Sequence, residues 1–533
     1  MQKKTAADWI MPSIADVLFL SFFFQLLRAG SSLLDDGDTG WHIVTGANIL
    51  KTFRVPYSDP YSHTMAGATW TAHEWLAEVI FALFWRLMGL NGVVLLAAIV
   101  IILTFFLLYL FMLRSGTNAV IAVSFTILAA CASMLHWLAR PHIFSLPLTL
   151  AFIVILERYQ RQKVNHLKLL PLLMVLWVNV HGGYILGLVF VFLYAGGNLL
   201  RAYTAQTGRE EAKRMFKSLG ITAGITLLAT FINPRGPAIL YFPFHLVGRE
   251  FIVDNVLEWL SPNFHQYRLL ELILLLFIAA FVLSKRKPDL IEGAIGLLMT
   301  AMALYSVRYV PLFVITVTPF AGARAGKALE NIAQSLTSIR IVEVGADILK
   351  KISANVFELE GRFRSHFWIY VVIGACTLIA LNGGNFGSEK LMDYRHNGDR
   401  FPVEALDFAL RNQITGNMFN NDGWGGYIIY QSYPRYKVFM DGRSDMYGVS
   451  LLQEYLKVSG AHIGFEEVLD KYDVTWVLHN ANAPICQLLA ATGKWKLVYA
   501  DTTANILLKD TPENRDLIER YKGTDFLPKD ESE

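Results

Sequence analysis

Eleven predominantly apolar stretches recur along this chain, most of them close to the roughly 20 residues that a helix needs to cross a bilayer. They lie near 13–33, 91–113, 118–138, 142–158, 169–180, 183–200, 218–233, 268–284, 288–306, 308–322 and 367–383. Backbone amides in hydrocarbon must be satisfied within their own segment, so such stretches predict membrane-spanning helices. Composition agrees: of 533 residues, 54% are hydrophobic and 17% charged, against about a quarter charged in soluble domains. The net charge of +3 offers no basic surface for nucleic acid. The first stretch follows Met1-Gln-Lys-Lys and has no small-x-small cleavage site, so it reads as an uncleaved span. Segment 73–88, with His73, Glu74, Glu78 and Arg86, reads as an interfacial helix leading into the second span.

Lysine and arginine in the short connections set the orientation. Lys3 and Lys4; Arg158, Arg161, Lys163 and Lys168; Arg201 to Lys217; Lys285 to Lys287; and the stretch Arg324 to Arg364 all fall on one side of an eleven-span arrangement. That side is expected to be cytoplasmic, in a bacterial inner membrane, with the N-terminus inside. The segments 34–72, 139–142, 180–183, 234–266 and 306–308, and everything after about Asn385, then face outside. The expected organisation is a membrane domain over 1–384, with a first outer loop at 34–90 and a cytoplasmic segment at 323–366, followed by an extracytoplasmic mixed α/β domain over 385–533. In that last part Phe401–Leu410 reads as a helix with Pro402 near its first turn. The runs Tyr427–Tyr430, Lys437–Met440, Thr475–Leu478, Trp495–Tyr499 and Ile506–Leu508 read as strands, and 484–492 as a helix. Cys131 and Cys376 lie in apolar runs and Cys486 is isolated, which suggests neither a disulfide framework nor a zinc site.

The polar residues gather on the outer side. Asp35, Asp36 and Asp38 leave the first span, followed by His42. Carboxylates there would either hold a divalent cation such as Mg or Mn, with Asp36, Asp38 and His181 as ligands, or supply a general base; a plain acidic loop is the alternative. Trp41, Trp70 and Trp75 are expected to anchor this loop at the interface. Arg140, between His136 and His142, would match a phosphate with its guanidinium fork, or simply snorkel. His181 precedes two glycines and suits a phosphate or a metal, or ends a helix. Arg308 interrupts an apolar stretch, where a charge is expected to be paired or functional. Asp254, Glu258 and Trp259 lie in a long outer segment that would cover a sugar cleft with Trp259 stacking on a ring, or form an amphipathic helix. Arg235 follows a helix terminator. Asp441, Arg443 and Asp445 follow an expected strand end, where sites are common, although Asp-Gly also makes a turn.

Two stretches carry a family resemblance. Asp38-x-x-x-His42, then Gly46, then Pro56-Tyr-Ser-Asp59-Pro60 resembles the first outer loop of GT-C glycosyltransferases, above all the oligosaccharyltransferase catalytic subunit, with protein mannosyltransferases and bacterial membrane proteins of the same type alongside. Trp424-Gly-Gly-Tyr-Ile-Ile and Tyr436-Lys-Val-Phe-Met-Asp-Gly-Arg443 are similar to the stretch that holds the oligosaccharyltransferase Trp-Trp-Asp motif. Here Asn421-Asp-Gly-Trp-Gly-Gly stands in its place, so the resemblance does not bring sequon recognition with it. It implies transfer of a sugar from a polyprenyl-phosphate donor on the outer face. Asp38 would be the catalytic carboxylate, and Arg140, His181 and Arg308 would bind the donor phosphate. Asp36, His42, His73, Glu74, His142, Glu258, Trp259, Trp424, Asp441 and Arg443 would support the site or the acceptor. A polytopic assembly protein or a transporter of lipid-linked glycans is the other class. A transporter should show internal repeats or charged, broken spans at the midplane, and neither is evident.

Overall fold

A computed structural model describes residues 7–204, 207–243, 251, 257–287, 289–335, 340–363 and 365–527. Asp254 lies outside the described residues. So do Lys3, Lys4 and Arg364 of the basic clusters.

The chain is a multi-pass helical membrane protein with a small sheet in its C-terminal part. By length and composition, five described helices suffice to cross a membrane: Asp8–Arg28, Trp75–Arg114, Ala119–His136, Pro141–Gln162 and Tyr184–Thr204. Leu169–Val180 and Leu290–Tyr305 are shorter apolar helices. The helix Trp75–Arg114 is the axis against which Ile14–Arg28, Asp38–Thr52, Ala119–Ser133 and Ser145–Gln162 pack. Gly89, at φ 61°, breaks it between the amphipathic and the fully apolar halves that the sequence distinguishes at 73–88 and 91–113. Only a residue without a Cβ adopts such a conformation without strain.

The sheet has four strands in the order Asn417–Asn420, Val474–Asn480, Ala504–Lys509, Trp495–Ala500; the first pair is parallel and the others antiparallel. Side chains alternate across it. Met418, Trp476, Leu478, Ile506 and Leu508 enter one core, and Phe419, Val477, Leu507 and Trp495 the other. Helix Ser444–Ser459 closes the second face with Leu451, Leu452 and Tyr455. The first face is closed partly by Val403–Arg411, and partly by Trp41, Tyr61 and Trp70 from the opposite end of the sequence. The segment after Asp59 is tied to Val438, beside the sheet: Val438 N–H donates to the Tyr61 carbonyl at 3.1 Å, and His63 N–H to the Val438 carbonyl at 3.0 Å.

Several expectations are corrected. Tyr427–Tyr430 is helical, within Gly425–Ser432. A four-residue apolar run fits either period, and here Gly426 lets the helix lie against Gly37 and Gly40, where a Cβ on either side would collide with backbone, while Gly425 makes room for Met440 and Asp441. Lys437–Met440 contributes a single bridge, Val438 to Ser62, rather than a strand. Trp41 and Trp70 are buried, at 6% and 2% exposure, and Trp75 donates its indole N–H to Asn179 at 2.6 Å. These rings hold the loop to the protein and do not anchor it in the interface.

Candidate functional site

The helix Asp38–Thr52 starts where the bundle meets the sheet. Gly37 precedes it, and the Asp36 carboxylate accepts the Asp38 backbone N–H at 2.8 Å, occupying one of the free donors of the first turn. Asp38 therefore sits at the positive end of a helix dipole. One turn on, Trp41 donates its indole N–H to Asp38 Oδ1 at 3.0 Å. The other side of the carboxylate faces Gly442, where any Cβ would overlap both oxygens. Asp38 is thus held between its own helix and the Asp441–Arg443 turn, more than 380 residues away in sequence.

Its outward partner is Arg140. The guanidinium reaches Asp38 Oδ2 at 3.0 Å, Asp36 Oδ2 at 2.6 Å and Glu258 Oε1 at 2.5 Å. The second Glu258 oxygen lies 3.7 Å from Arg308, whose guanidinium stacks 4.6 Å from the centre of the Trp259 ring. Arg308 is on the short turn Val307–Tyr309 between two helices, which accounts for its interruption of an apolar run. Burial pushes the Asp38 carboxyl up to about 7, with Arg140 pulling the other way and the neighbouring carboxylates adding to the rise. Burial would also raise Glu258, but Arg140 and Arg308 together outweigh it and bring that carboxyl down to about 2.

A cavity of about 160 Å³ continues inward from Arg308 and Trp259 to His73, Glu74, His136, His142, Ser145 and His181. Three imidazoles converge on Glu74: His73 at 3.5 Å, His181 at 3.6 Å and His42 at 3.7 Å. The His181 ring takes a hydrogen bond with Ser145 Oγ at 2.6 Å, and Ser145 accepts the Trp177 indole N–H at 2.7 Å. Burial lowers His181 to about 4, so it is neutral at pH 7. Burial also opposes a charge on His73, but Glu74 outweighs it and raises that imidazole to about 9. His142 faces the His136 carbonyl at 2.9 Å.

The structure thus brings Asp38, Asp36, Arg140, Glu258, Arg308 and Trp259 together, and gathers His73, Glu74, His142 and His181 in the adjoining cavity wall, with His42 buried behind Glu74. Three acceptor candidates lie elsewhere. Arg443 pairs with Asp59 at 2.7 Å and with Asp441 at 2.6 Å, and the side chains of all three are at most 1% exposed. Tyr447 donates to Asp441 at 2.7 Å, and Trp70 and Tyr61 flank the guanidinium. Asp441 and Arg443 are a buried fastening between the segment around Asp59 and the sheet, out of reach of a ligand. Trp424 is in the core, donating to the Arg400 carbonyl. Arg235 stacks on Tyr57. The trio Asp36, Asp38 and His181 is engaged within the protein. Both carboxylates are on Arg140, His181 is on Ser145 and Glu74, and among the described residues no three His, Cys, Asp or Glu meet as a metal site would require. Sequence reasoning missed Ser145 and Gly442. It also missed the pairing of Trp41 with Asp38, for which there was a signal, since a partner three residues along a helix shares its face.

The sequence matches no protein-family model and no curated protein. Solved structures do match. The archaeal oligosaccharyltransferase AglB from Archaeoglobus fulgidus, in complex with an inhibitory peptide and a dolichol-phosphate, superposes with a TM-score of 0.54 at 11% identity, over 93% of this chain and 75% of that one. The chain has the GT-C fold. ArnT from Cupriavidus metallidurans, bound to undecaprenyl phosphate, matches at a TM-score of 0.47 and 14% identity over 94% of this chain and 98% of its own. Its apo state gives 0.46 and 13%, over 92% and 98%.

Proposed function

We propose that the chain is a membrane glycosyltransferase. It takes a sugar from a polyprenyl-phosphate donor and passes it to an acceptor on the extracytoplasmic side, with eleven spans and residues 385–533 outside. One observation carries the reading: Arg140 is held by Asp36, Asp38 and Glu258, and Glu258 also meets Arg308 on the wall of the adjoining cavity, in a fold shared with a protein captured with dolichol-phosphate. Arg140 and Arg308 bind the donor phosphate and stabilise the charge that develops on it as the sugar–oxygen bond breaks. The sugar enters the cavity lined by Glu74 and the histidines. Asp38 takes the proton from the acceptor hydroxyl as its oxygen attacks the anomeric carbon. Radiolabelled polyprenyl-phosphate sugars incubated with the purified protein test this directly. Transfer or donor hydrolysis supports the enzyme, whereas vesicle uptake without chemistry means a transporter.

Two further outcomes follow from the electrostatics. A base with a carboxyl pKa of about 7 works only when ionised, so kcat/KM should fall about tenfold per pH unit below 7 and level off above it. A flat profile from pH 5 to 8 would remove Asp38 as the base. Three carboxylates facing two guanidiniums also leave the site with an excess negative charge before any phosphate arrives. Glu258 is the most exposed of the three, at 28% against 19% and 12%, and it occupies both arginines, so it is the group that yields to the phosphate. Glu258→Gln should therefore tighten binding of undecaprenyl phosphate, by roughly tenfold given the size of such charge pairs near a surface. Weaker binding in a calorimetric titration would show that Glu258 assists the phosphate instead of standing in for it.

A further inference from the structure

At the far end of the helix Trp75–Arg114 from Asp38 lies a cleft of about 430 Å³ between that helix and Ser145–Gln162. Leu107, Phe111, Leu150 and Val154 form its walls, and Arg114 and Arg158 stand at its mouth. Leu107 is 41% exposed, so the wall runs out onto the lipid-facing surface. Arg114 is exposed and Arg158 half-buried.

Among the described residues, neither arginine forms an ion pair. Glu157, next to Arg158, is already taken by Arg161 and by the Tyr194 hydroxyl at 2.6 Å. Other arginines of this region do have partners: Arg201 is paired with Asp289 and Arg324 with Glu292. Two guanidiniums sharing one apolar cleft repel each other unless an anion lies between them. A ligand that satisfies both features has an acyl chain and a negatively charged head.

We propose that this cleft is a binding site for an anionic glycerophospholipid. One acyl chain lies along Leu107, Phe111, Leu150 and Val154, and the phosphodiester sits between Arg114 and Arg158. Guanidinium forks match phosphate oxygens in pairs, and basic pockets between spans at this kind of boundary favour anionic heads. A zwitterionic lipid would bring an ammonium up to two guanidiniums. Undecaprenyl phosphate, which also pairs an apolar chain with an anionic head, is the competing occupant that the titration separates. The site is independent of the transfer reaction.

Native mass spectrometry of the full chain in detergent, titrated separately with phosphatidylglycerol, phosphatidylethanolamine and undecaprenyl phosphate, tests the assignment. Phosphatidylglycerol should bind in preference to phosphatidylethanolamine. Arg114→Gln with Arg158→Gln should weaken it by on the order of tenfold or more, from the usual contribution of each basic residue near a membrane surface. Arg114→Lys with Arg158→Lys should keep most of the binding, Leu150→Trp should block it by filling the cleft, and Arg86→Gln nearer the Asp38 end should leave it unchanged. Equal binding of the two phospholipids, or unchanged phosphatidylglycerol affinity in the double Gln variant, overturns the proposal. So does a loss confined to undecaprenyl phosphate. Should the Gln pair fail to fold, the Lys pair and Leu150→Trp decide the matter: binding kept by the first and lost in the second supports the site, and binding untouched by Leu150→Trp overturns it.

Discussion

Asp38→Asn is expected to lower kcat for glycosyl transfer by about 10³-fold, within the range attributed to a positioned base, while leaving the protein folded. Asn keeps the size of the side chain and can still accept the Trp41 indole N–H, so the packing against Gly442 survives. The substitution also removes one of three carboxylates competing for two guanidiniums, so affinity for the lipid phosphate should hold or rise. The signature is thus a split: kcat collapses while KM for the donor does not increase. A variant with full kcat would take the proton-accepting role away from Asp38. A parallel rise in KM with an unchanged kcat would make it a binding group.

The second large effect is on stability. Arg443→Met leaves the Asp59 and Asp441 carboxylates buried with no cation between them. Removing one partner of a buried ion pair typically costs about 3–5 kcal/mol, because the remaining charge is uncompensated. Here a single guanidinium serves two carboxylates, both with side chains 0% exposed, so the upper part of that range applies. Thermal unfolding in detergent should show a clear drop, and protease should cut within residues 385–527 at temperatures where the native chain resists. Adding Asp59→Asn and Asp441→Asn should recover part of the loss, since the orphaned charges are then gone. A melting temperature indistinguishable from the native protein would mean that water reaches this cluster.

The two effects mark out what the sequence makes legible. Local signals read well. Apolar length points to the helices, and Pro402 to the start of Val403–Arg411. An acidic residue at a span exit, on a helix that also bears Trp41 and His42, marks the neighbourhood of Asp38. What fails is whatever depends on remote pairing. The Tyr427–Tyr430 run becomes a helix that packs where Gly426 meets Gly37 and Gly40, a contact invisible to any local period. Trp41 and Trp70 resemble interface anchors until the sheet they pack beneath is known. Asp441 and Arg443 carry the polar look of a binding turn, and only the arrival of Asp59 shows that they are shut away. Ser145 had no signal at all, since a lone serine at a helix start is common and its partner His181 lies 36 residues on.

The shared core has a temporal corollary. Trp41, Tyr61, Trp70 and Asp59 are synthesised early, but the surfaces that cover them begin at Phe401, more than 330 residues later, and Arg443 follows more than 370 residues after Trp70. At typical elongation rates of about 5–20 residues per second, the loop waits some twenty to seventy seconds, unpartnered, with its rings uncovered. A chain halted just short of Gly442 would leave the Asp38 carboxylate without the turn that packs against it.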